Sequence, residues 1–378
     1  MKVVFINTTG GPGSTVGEFI DSLADGLRDN GCHVLTAVGR GQGDFILGGY
    51  FSYRVNALRA RLFDIDGFID HRATNRLCRW LKSIRPDIVH LHNLHGYHLD
   101  IRLLFDCLAT IGSRVIITLH DNWLMTGHCA KIPAGCPNFS SDQCSSCRFP
   151  ERYPAALHSR YTKVKRNLKS TLLHRLPDVT LVCPTDHLAR IVRSTDLADL
   201  PVVVIPNGIP DCFFAKRKLR KAGESHGLKL MASARRWVDE KNPDALRRLA
   251  EHMPNDWSLT VIGKTPRKLS WPNTSFPGLV SNQETLADLY ASHDVFLCPS
   301  DNETFGLVVA ESLACGTPVV VNSRAATAEL VTPTDGLTDT FDNIPSLIET
   351  IRSAASLSPV SEYRLDSMVQ AYADLYRH

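Results

Sequence analysis

Short apolar runs alternate with longer amphipathic stretches along most of this chain. The runs VVFI at 3–6 and VFLC at 295–298 are bounded by polar residues, which is typical of buried strands in a parallel sheet. Helical stripes lie between such runs, as with Phe19, Leu23 and Leu27. The alternation predicts an α/β protein with doubly wound sheets, whose ligands bind at the carboxyl ends of the strands.

Two domains are expected, because 378 residues are many for one hydrophobic core. PVVVIPNGIP closes the first series of strands and helices, and the charged stretch AKRKLRKAGESHG that follows is typical of a linker. We assign residues 1–207, together with a last helix at 360–378, to the first domain and residues 208–359 to the second. The stretch 40–72 is mixed, and GQGDFILGGYFSYRV within it, at 41–55, is predicted to be a loop over a binding site.

Composition is that of an ordinary globular enzyme, with 43% hydrophobic and 21% charged residues. The net charge of +3 is too small to indicate a nucleic-acid partner. No apolar run approaches the roughly 18 residues that span a bilayer, and the run at 3–6 is too short for an export signal. We therefore expect a cytoplasmic protein, with contact to the inner face of the membrane left open. The eleven cysteines should then be reduced.

The stretch PSDNETFGLVVAESLACGTP at 299–318 carries the clearest chemistry. It predicts a polar loop after a buried strand and then a helix from Phe305 to Ala314. Backbone N–H groups at such a helix start bind phosphate well. Glu303 precedes the helix and Glu311 lies inside it, where carboxylates can accept hydrogen bonds from sugar hydroxyls. From the residues alone, a solvated helix face remains an alternative.

This stretch resembles the E-x7-E signature of the retaining GT-B glycosyltransferases of family 4. The resemblance implies two Rossmann-like domains that face a central cleft, with the C-terminal helix crossing back to the first domain. It implies that Glu311 binds the nucleotide ribose and that Glu303 lies at the donor sugar. It also implies a diphosphate held by Arg235 and Lys241, with Arg236 as a spare candidate. The other donor-binding residues expected are Gly11, Gly13, Phe305, Gly306, Leu307 and Val308.

Histidines close two of the predicted strands in the first domain. His120 ends VIITLH, and His90 and His92 end RPDIVHLHN, where we expect them to face opposite sides of the sheet. The resemblance implies that His120 hydrogen-bonds the donor sugar as a catalytic residue, while His92 and Asn93 lie on the acceptor side. Structural roles for the histidines remain alternatives. HDNWLMTGHC narrows the resemblance to the bacterial branch that builds exopolysaccharides of the colanic-acid type.

Two further segments have no single interpretation. Cys129, Cys136, Cys144 and Cys147 include a C-x2-C pair and predict structural zinc, free thiols or disulfides. The basic stretch 148–175 predicts either a helix resting on an anionic membrane or a solvated helix packed on its own sheet.

The expected function is transfer of a sugar from a nucleotide-diphosphate sugar to a glycan or lipid-linked acceptor, with retention of configuration and no metal needed for catalysis. The alternatives are a catalytically silent nucleotide-sugar-binding partner and a GT-B epimerase or hydrolase. A dehydrogenase is disfavoured, because GGPG lacks the third glycine of a dinucleotide fingerprint and has Val16 in its place. RAATAELV keeps Glu329 but lacks the family's glycine pair, which puts the donor sugar in doubt.

Overall fold

The computed structural model describes residues 1–11, 13–132, 136, 144, 147–217, 227–265 and 269–378. The chain divides into two compact units. Unit 1 contains residues 1–205 and 369–378, and unit 2 contains residues 206–368. Among the described residues, none of the helices combines the length and the apolar character needed to cross a bilayer.

Unit 1 is built on a seven-stranded parallel sheet in the order β3-β2-β1-β4-β5-β6-β7. Its strands are β1 Lys2–Gly10, β2 His33–Gly41, β3 Phe45–Ile46, β4 Ile88–Leu91, β5 Arg114–Thr118, β6 Val179–Cys183 and β7 Val202–Val204. Its helices are α1 Thr15–Asp29, α2 Tyr50–Phe63, α3 His71–Ile84, α4 Ile101–Ile111, α5 Thr162–His174 and α6 Asp186–Arg193.

Unit 2 is built on a six-stranded parallel sheet in the order β10-β9-β8-β11-β12-β13. Its strands are β8 Lys229–Arg236, β9 Ser258–Lys264, β10 Thr274–Gly278, β11 Val295–Cys298, β12 Val319–Asn322 and β13 Gly336–Asp339. Its helices are α7 Asp211–Phe214, α8 Pro243–His252, α9 Gln283–Ser292, α10 Leu307–Ala314 and α11 Ile344–Ala354, with short 3-10 helices at Asp239–Lys241 and Ala326–Leu330.

The sheet of unit 2 is covered on both faces, as its apolar strands predict. Leu230 and Ala232 of β8 enter one buried cluster, which α8 and α11 complete, while Met231 between them enters another with α9 and α10. Alternate residues of a strand point to opposite faces, so one short apolar run supplies both cores. The sheet is therefore doubly wound.

The last helix, α12 Leu365–Arg377, begins in unit 2 and ends in unit 1. Within unit 1 it is anchored by two buried tyrosines: Tyr376 Oη lies 2.5 Å from Nδ1 of His90, and Tyr372 Oη lies 2.8 Å from Oγ1 of Thr118. A buried hydroxyl without a hydrogen-bond partner is energetically costly. The two contacts therefore favour one position of the helix end on unit 1.

One prediction about local structure is wrong. The stretch 41–55 was expected to form a loop, and it contains strand β3 and the start of the 14-residue helix α2. The pattern was misleading because α2 keeps its large apolar residues outside and buries Asn56 and Ala60. The predicted linker at 215–227 lies largely outside the described residues, because residues 218–226 do not belong to them.

Candidate functional site

The candidate donor site lies at the topological switch point of the sheet in unit 2. The chain leaves β8 toward β9 on one side, whereas β11 continues toward β12 on the other. Ligands of open α/β sheets bind in the crevice where such connections diverge. The loops after the two strands meet there: Ser300 Oγ and the Asp301 N–H donate to the carbonyl oxygen of Glu240, at 3.1 and 3.2 Å.

Lys241 and Glu303 form an ion pair at this point, with Lys241 Nζ donating to Oε1 of Glu303. The side chains are only 21% and 14% exposed. Burial alone would lower the pKa of Lys241, but the Glu303 carboxylate outweighs that effect and the pKa lies above its ordinary value. Lys241 therefore keeps its charge, and it is held where its ammonium group could stabilise a bound polyanion.

Helix α10 starts at the same loop with an uncapped N-terminus. Gly306 is its N-cap residue, provides no side-chain hydrogen bond and has φ of 96°, which favours glycine. A Cβ at Gly306 would lie 2.4 Å from Cγ2 of Thr327, so a larger residue would also clash. Leu307 and Val308 form the first helical turn, while the ring of Phe305 is buried edge-on against Tyr363 at 5.6 Å. The arrangement suits an anion.

Glu311 is oriented by a residue that sequence reasoning missed. Tyr290 of α9 is fully buried and donates its hydroxyl to Oε2 of Glu311 at 2.9 Å. Burial, and then the neighbouring carboxylate, raises the pKa of Tyr290 well above its ordinary value. The hydroxyl therefore remains a donor, and it holds the carboxylate in one orientation. A buried tyrosine needs a partner, but its position in the sequence does not say which.

Arg235 and Arg236 both end β8 as exposed side chains. The pairing of β8 with β9 shifts register between Ser233 and Arg236, and such an irregularity re-aims consecutive side chains. The structure thus brings Lys241 and Glu303 into contact, and it places the arginines at the same edge of the sheet.

In unit 1 the glycine-rich turn after β1 adopts the left-handed conformation at two positions, with φ of 80° at Gly11 and 94° at Gly13. The N–H of Gly13 donates to Oε1 of Glu18 at 3.0 Å, which closes the turn onto α1. Gly17 was not predicted to matter, yet a Cβ there would lie 2.9 Å from the carbonyl oxygen of Gly11. Its signal was its place in the first turn of a helix, where glycine is otherwise unfavourable.

His92 and His120 come together at the carboxyl ends of β4 and β5, where Nδ1 of His92 lies 3.0 Å from Nε2 of His120. Burial lowers the pKa of His92 well below its ordinary value and that of His120 to about 4, so both rings are neutral at pH 7. Asn93 is fixed by its backbone, whose N–H donates to Oδ1 of Asn7 at 3.2 Å.

The expected placement of His90 and His92 on opposite sides of the sheet is wrong. Their ring centroids are 4.1 Å apart, because residues two apart in a strand share a face. His90 contacts Thr118 and Tyr376 and anchors α12, so its role is structural.

A second pair, His95 and Asp121, was missed by sequence reasoning. Nε2 of His95 donates to Oδ2 of Asp121 at 2.7 Å, and the same carboxylate accepts the N–H of Trp123 at 2.8 Å. Both residues line a small cavity with His92 and His120. Within the described part of the chain, Nδ1 of His95 and Nε2 of His92 are buried without a hydrogen-bond partner. Such atoms can accept a hydrogen bond from a hydroxyl.

The four clustered cysteines follow Asp121 in the sequence, between residues 129 and 147. Cys129 is buried, while Cys136, Cys144 and Cys147 are half-buried, and no disulfide joins any two of these four residues. Among the described residues, the one set of three or more ligand atoms within 4.8 Å of each other belongs to Asp64, Asp66 and His128, and the sulfurs form no such set. Zinc at the four thiols therefore stays a prediction.

Both halves of the chain match family models. Residues 16–211 match the model for Glycosyltransferase Family 4, and residues 215–366 match the model for glycosyl transferases group 1. An Escherichia coli protein named as a colanic acid biosynthesis glycosyl transferase is 23% identical over 308 residues, which cover 76% of this chain and 72% of that protein.

A GDP-mannose-dependent alpha-(1-6)-phosphatidylinositol dimannoside mannosyltransferase of Mycobacterium tuberculosis is 38% identical over 115 residues. That match covers 29% of this chain and spans only 29% of the mycobacterial enzyme.

Two solved structures share the fold over essentially their whole length. Sucrose-phosphate synthase from Thermosynechococcus elongatus has a TM-score of 0.71 at 13% identity, covering 100% of this chain and 98% of that one. The Anabaena protein HepE, in complex with UDP and glucose, has a TM-score of 0.63 at 14% identity, covering 100% and 99%. These likenesses and the two parallel sheets confirm the predicted GT-B fold class. Since the family 4 model alone matches more than half of the sequence, the chain belongs to Glycosyltransferase Family 4.

Proposed function

We propose that this protein transfers a sugar from a nucleotide-diphosphate sugar to a hydroxyl of a glycan or lipid-linked acceptor, with retention of anomeric configuration. The observation that carries the proposal is the half-buried Lys241–Glu303 ion pair beside the start of α10, whose N-cap glycine provides no side-chain hydrogen bond. A cation and a helix N-terminus suit a diphosphate, and the carboxylate of Glu303 suits the hydroxyls of a sugar. Support also comes from the fold relative HepE, which was solved with UDP and glucose.

Each donor group has a role in this proposal. The diphosphate lies at the first turn of α10 and is neutralised by Lys241 and Arg235. Glu311, held by the hydroxyl of Tyr290, accepts hydrogen bonds from the ribose. One oxygen of Glu303 stays close to Lys241, and the carboxylate also accepts hydrogen bonds from hydroxyl groups of the donor sugar. Cations and a helix N-terminus stabilise the charge that grows on the leaving diphosphate, so the proposal includes no divalent metal.

The reaction exchanges two bonds at the anomeric carbon. The bond to the phosphate oxygen breaks, a bond to the acceptor oxygen forms on the same face, and the acceptor proton passes to the departing phosphate oxygen. This same-face route retains the configuration and assigns no general-base residue. In unit 1, the neutral rings of His92 and His120 and the backbone-fixed Asn93 are proposed to contact sugar and acceptor hydroxyls.

The proposed acceptor class is a cell-surface polysaccharide or its lipid-linked precursor in a bacterium. It is supported by the relative from Escherichia coli that is named for colanic acid biosynthesis and aligns with most of this chain. The proposed location is cytoplasmic, at the inner face of the membrane, where such precursors are built.

The test measures release of nucleoside diphosphate from a panel of UDP- and GDP-sugars, with and without glycan and lipid-linked acceptors. The wild-type protein should turn over one donor in the presence of an acceptor. Glu303→Gln and Lys241→Gln should each lower kcat at least ~100-fold, a loss typical of removing a group that stabilises transition-state charge.

Matched controls separate these losses from general effects. Glu349→Gln on α11 and Lys229→Gln at the amino end of β8 remove the same charges from exposed positions and should leave kcat unchanged. Undiminished turnover in Glu303→Gln would overturn the proposed site. Donor binding without turnover would instead support a silent binding partner, and release of free sugar to water alone would support a hydrolase.

A further inference from the structure

Helix α2 exposes its large apolar residues and buries its small and polar ones. Its buried residues are Asn56 and Ala60, and Nδ2 of Asn56 donates to Oδ2 of Asp70 at 2.8 Å. The opposite face carries a stripe at four- and three-residue spacing, formed by Phe51, Val55, Leu58 and Leu62, which are 81%, 41%, 58% and 41% exposed. An amphipathic helix normally turns such a stripe inward. This helix instead presents an apolar face to the outside of unit 1.

A second exposed apolar segment adjoins the end of α2. The N–H of Leu157 donates to the carbonyl oxygen of Arg61 at 2.9 Å, which joins the two segments directly. Leu157, Tyr161 and Val164 are 63%, 50% and 62% exposed. We call residues 50–63 together with residues 157–164 the apolar face. Scattered exposed apolar residues are common, but a joined set of this extent marks an interaction surface.

The charged residues within the two segments of the apolar face are all cations. The carboxylate nearest to Lys163 belongs to Asp196, and Arg166 pairs with it. Five exposed cations border the apolar face, and none takes part in an ion pair within the described ranges: Arg54, Arg59, Arg61, Arg160 and Lys163. Residues 45–63 and 152–177 contain no aspartate or glutamate. The chemistry that complements this face is therefore apolar in the middle and anionic around it.

The deeper half of the basic stretch serves another purpose and does not reach this surface. Nζ of Lys165 lies 2.5 Å from Oδ1 of Asp64 and 2.9 Å from Oδ1 of Asp66. Lys169 donates to the carbonyl oxygen of Trp123 and lies 3.9 Å from the centroid of its ring. These buried contacts hold α5 against the rest of unit 1. The exposed side chains near Val164 therefore keep a fixed position on the surface.

We propose that the apolar face docks unit 1 onto an anionic lipid bilayer. The stripe of α2 and the residues around Tyr161 lie in the boundary between headgroups and acyl chains, and the bordering cations contact lipid phosphates. The surface differs from the one expected from the sequence: the stripe of α2 is its main part, and only the start of the 148–175 stretch belongs to it.

The experiment is co-sedimentation of the full chain with phosphatidylcholine vesicles that contain or lack phosphatidylglycerol. The wild-type protein should pellet only with the anionic vesicles, and less at high salt. F51S/L58S should remain in the supernatant. R54Q/R59Q/R61Q should bind roughly a hundredfold more weakly, because each cation near an anionic surface contributes about a fivefold factor.

Matched controls are V360S, which removes another exposed apolar side chain, and R72Q/R79Q/K82Q, which removes three exposed cations of α3. Both should bind as the wild-type protein does. The proposal is overturned if the wild-type protein ignores anionic vesicles or if F51S/L58S still binds them. It is also overturned if F51S/L58S converts a dimer to a monomer, since a second copy then covers the face. No donor sugar is needed, so failure here leaves the transfer reaction untouched.

Discussion

At the scale of single residues, the donor site depends on partners that hold its charged groups in place. The hydroxyl of Tyr290 donates to the carboxylate of Glu311 at 2.9 Å and so restricts its orientation. The hydroxyl of Tyr290 is itself buried and has no access to water as an alternative partner. The position of the carboxylate therefore depends on a residue that never needs to touch the ligand.

Replacing Tyr290 with phenylalanine should weaken nucleotide binding without unfolding the protein. The change removes one hydrogen bond to a charged group, which is worth about 1.5–3 kcal/mol, so the dissociation constant should rise roughly 10-fold or more. Calorimetric titration with the preferred nucleoside diphosphate measures it. Tyr363→Phe, which loses a 3.4 Å contact to the carbonyl oxygen of Leu330, is the control. An unchanged dissociation constant would show that Glu311 needs no such support.

Residues whose role follows from one short segment could be predicted, and residues whose role needs a distant partner could not. Glu303 and Glu311 lie eight positions apart around one helix start, and it is the family resemblance of that one segment that predicts their roles. Tyr290 is a core residue in the sequence, and only the packing of α9 against α10 reveals its second role. His95 was likewise invisible, because Asp121 reaches it from the next strand along the sheet.

At the scale of elements, the carboxyl ends of β4 and β5 concentrate neutral histidines in the core of unit 1. Burial lowers the pKa of His120 to about 4 and that of His98 to about 3, and it lowers the pKa of His92 well below its ordinary value. An imidazolium at any of these positions would lose its hydration, and even the Asp121 carboxylate next to His120 does not offset that loss.

The free energy of unfolding should therefore fall as the pH decreases below about 6.5. In the unfolded chain these histidines bind protons near pH 6.5. In the folded protein the same histidines stay unprotonated at that pH. Each thus removes up to about 1.4 kcal/mol per pH unit until its folded pKa is reached. His174, whose pKa is raised by Asp199, acts in the opposite direction but is a single exposed group.

Urea unfolding at a series of pH values between about 7 and about 5 checks this slope. His98→Gln should flatten it, and His252→Gln on the exposed side of α8 should leave it unchanged. A free energy of unfolding that stays constant or rises over this range would contradict the account.

The cysteine segment is the second element with a testable chemistry. Burial raises the pKa of Cys129 to about 12, and the nearby thiols of Cys147, Cys144 and Cys136 add to the effect. A bound zinc ion would neutralise the negative charges of four neighbouring thiolates, and the cysteines would then lose their protons.

We expect protein grown with zinc to contain about one ion per chain by mass spectrometry. C144S/C147S should lose the ion and melt at a lower temperature, while C32S should keep it. Zinc-free protein with eleven titratable thiols would establish free cysteines instead, and fewer titratable thiols would establish disulfides.

At the scale of the whole molecule, the two-sheet architecture could be predicted and one surface could not. Buried parallel strands give uninterrupted apolar runs, so both sheets were visible in the sequence. Helix α2 was not, because its apolar stripe points away from the core and its arginines interrupt the pattern. A helix whose large apolar residues are exposed lacks the inward-facing stripe by which a helix is usually recognised in a sequence.

The central claim is that unit 2 binds a nucleotide diphosphate through α10 and Glu311. Thermal unfolding of the full chain with UDP, GDP, ADP and NAD tests it most directly. A ligand at about 100 times its dissociation constant stabilises the folded state by roughly 2.7 kcal/mol, which is readily seen as a higher melting temperature. The account predicts a shift with UDP or GDP, its loss in Glu311→Gln and its retention in Glu349→Gln. A shift with NAD alone, or a shift that survives Glu311→Gln, would contradict it.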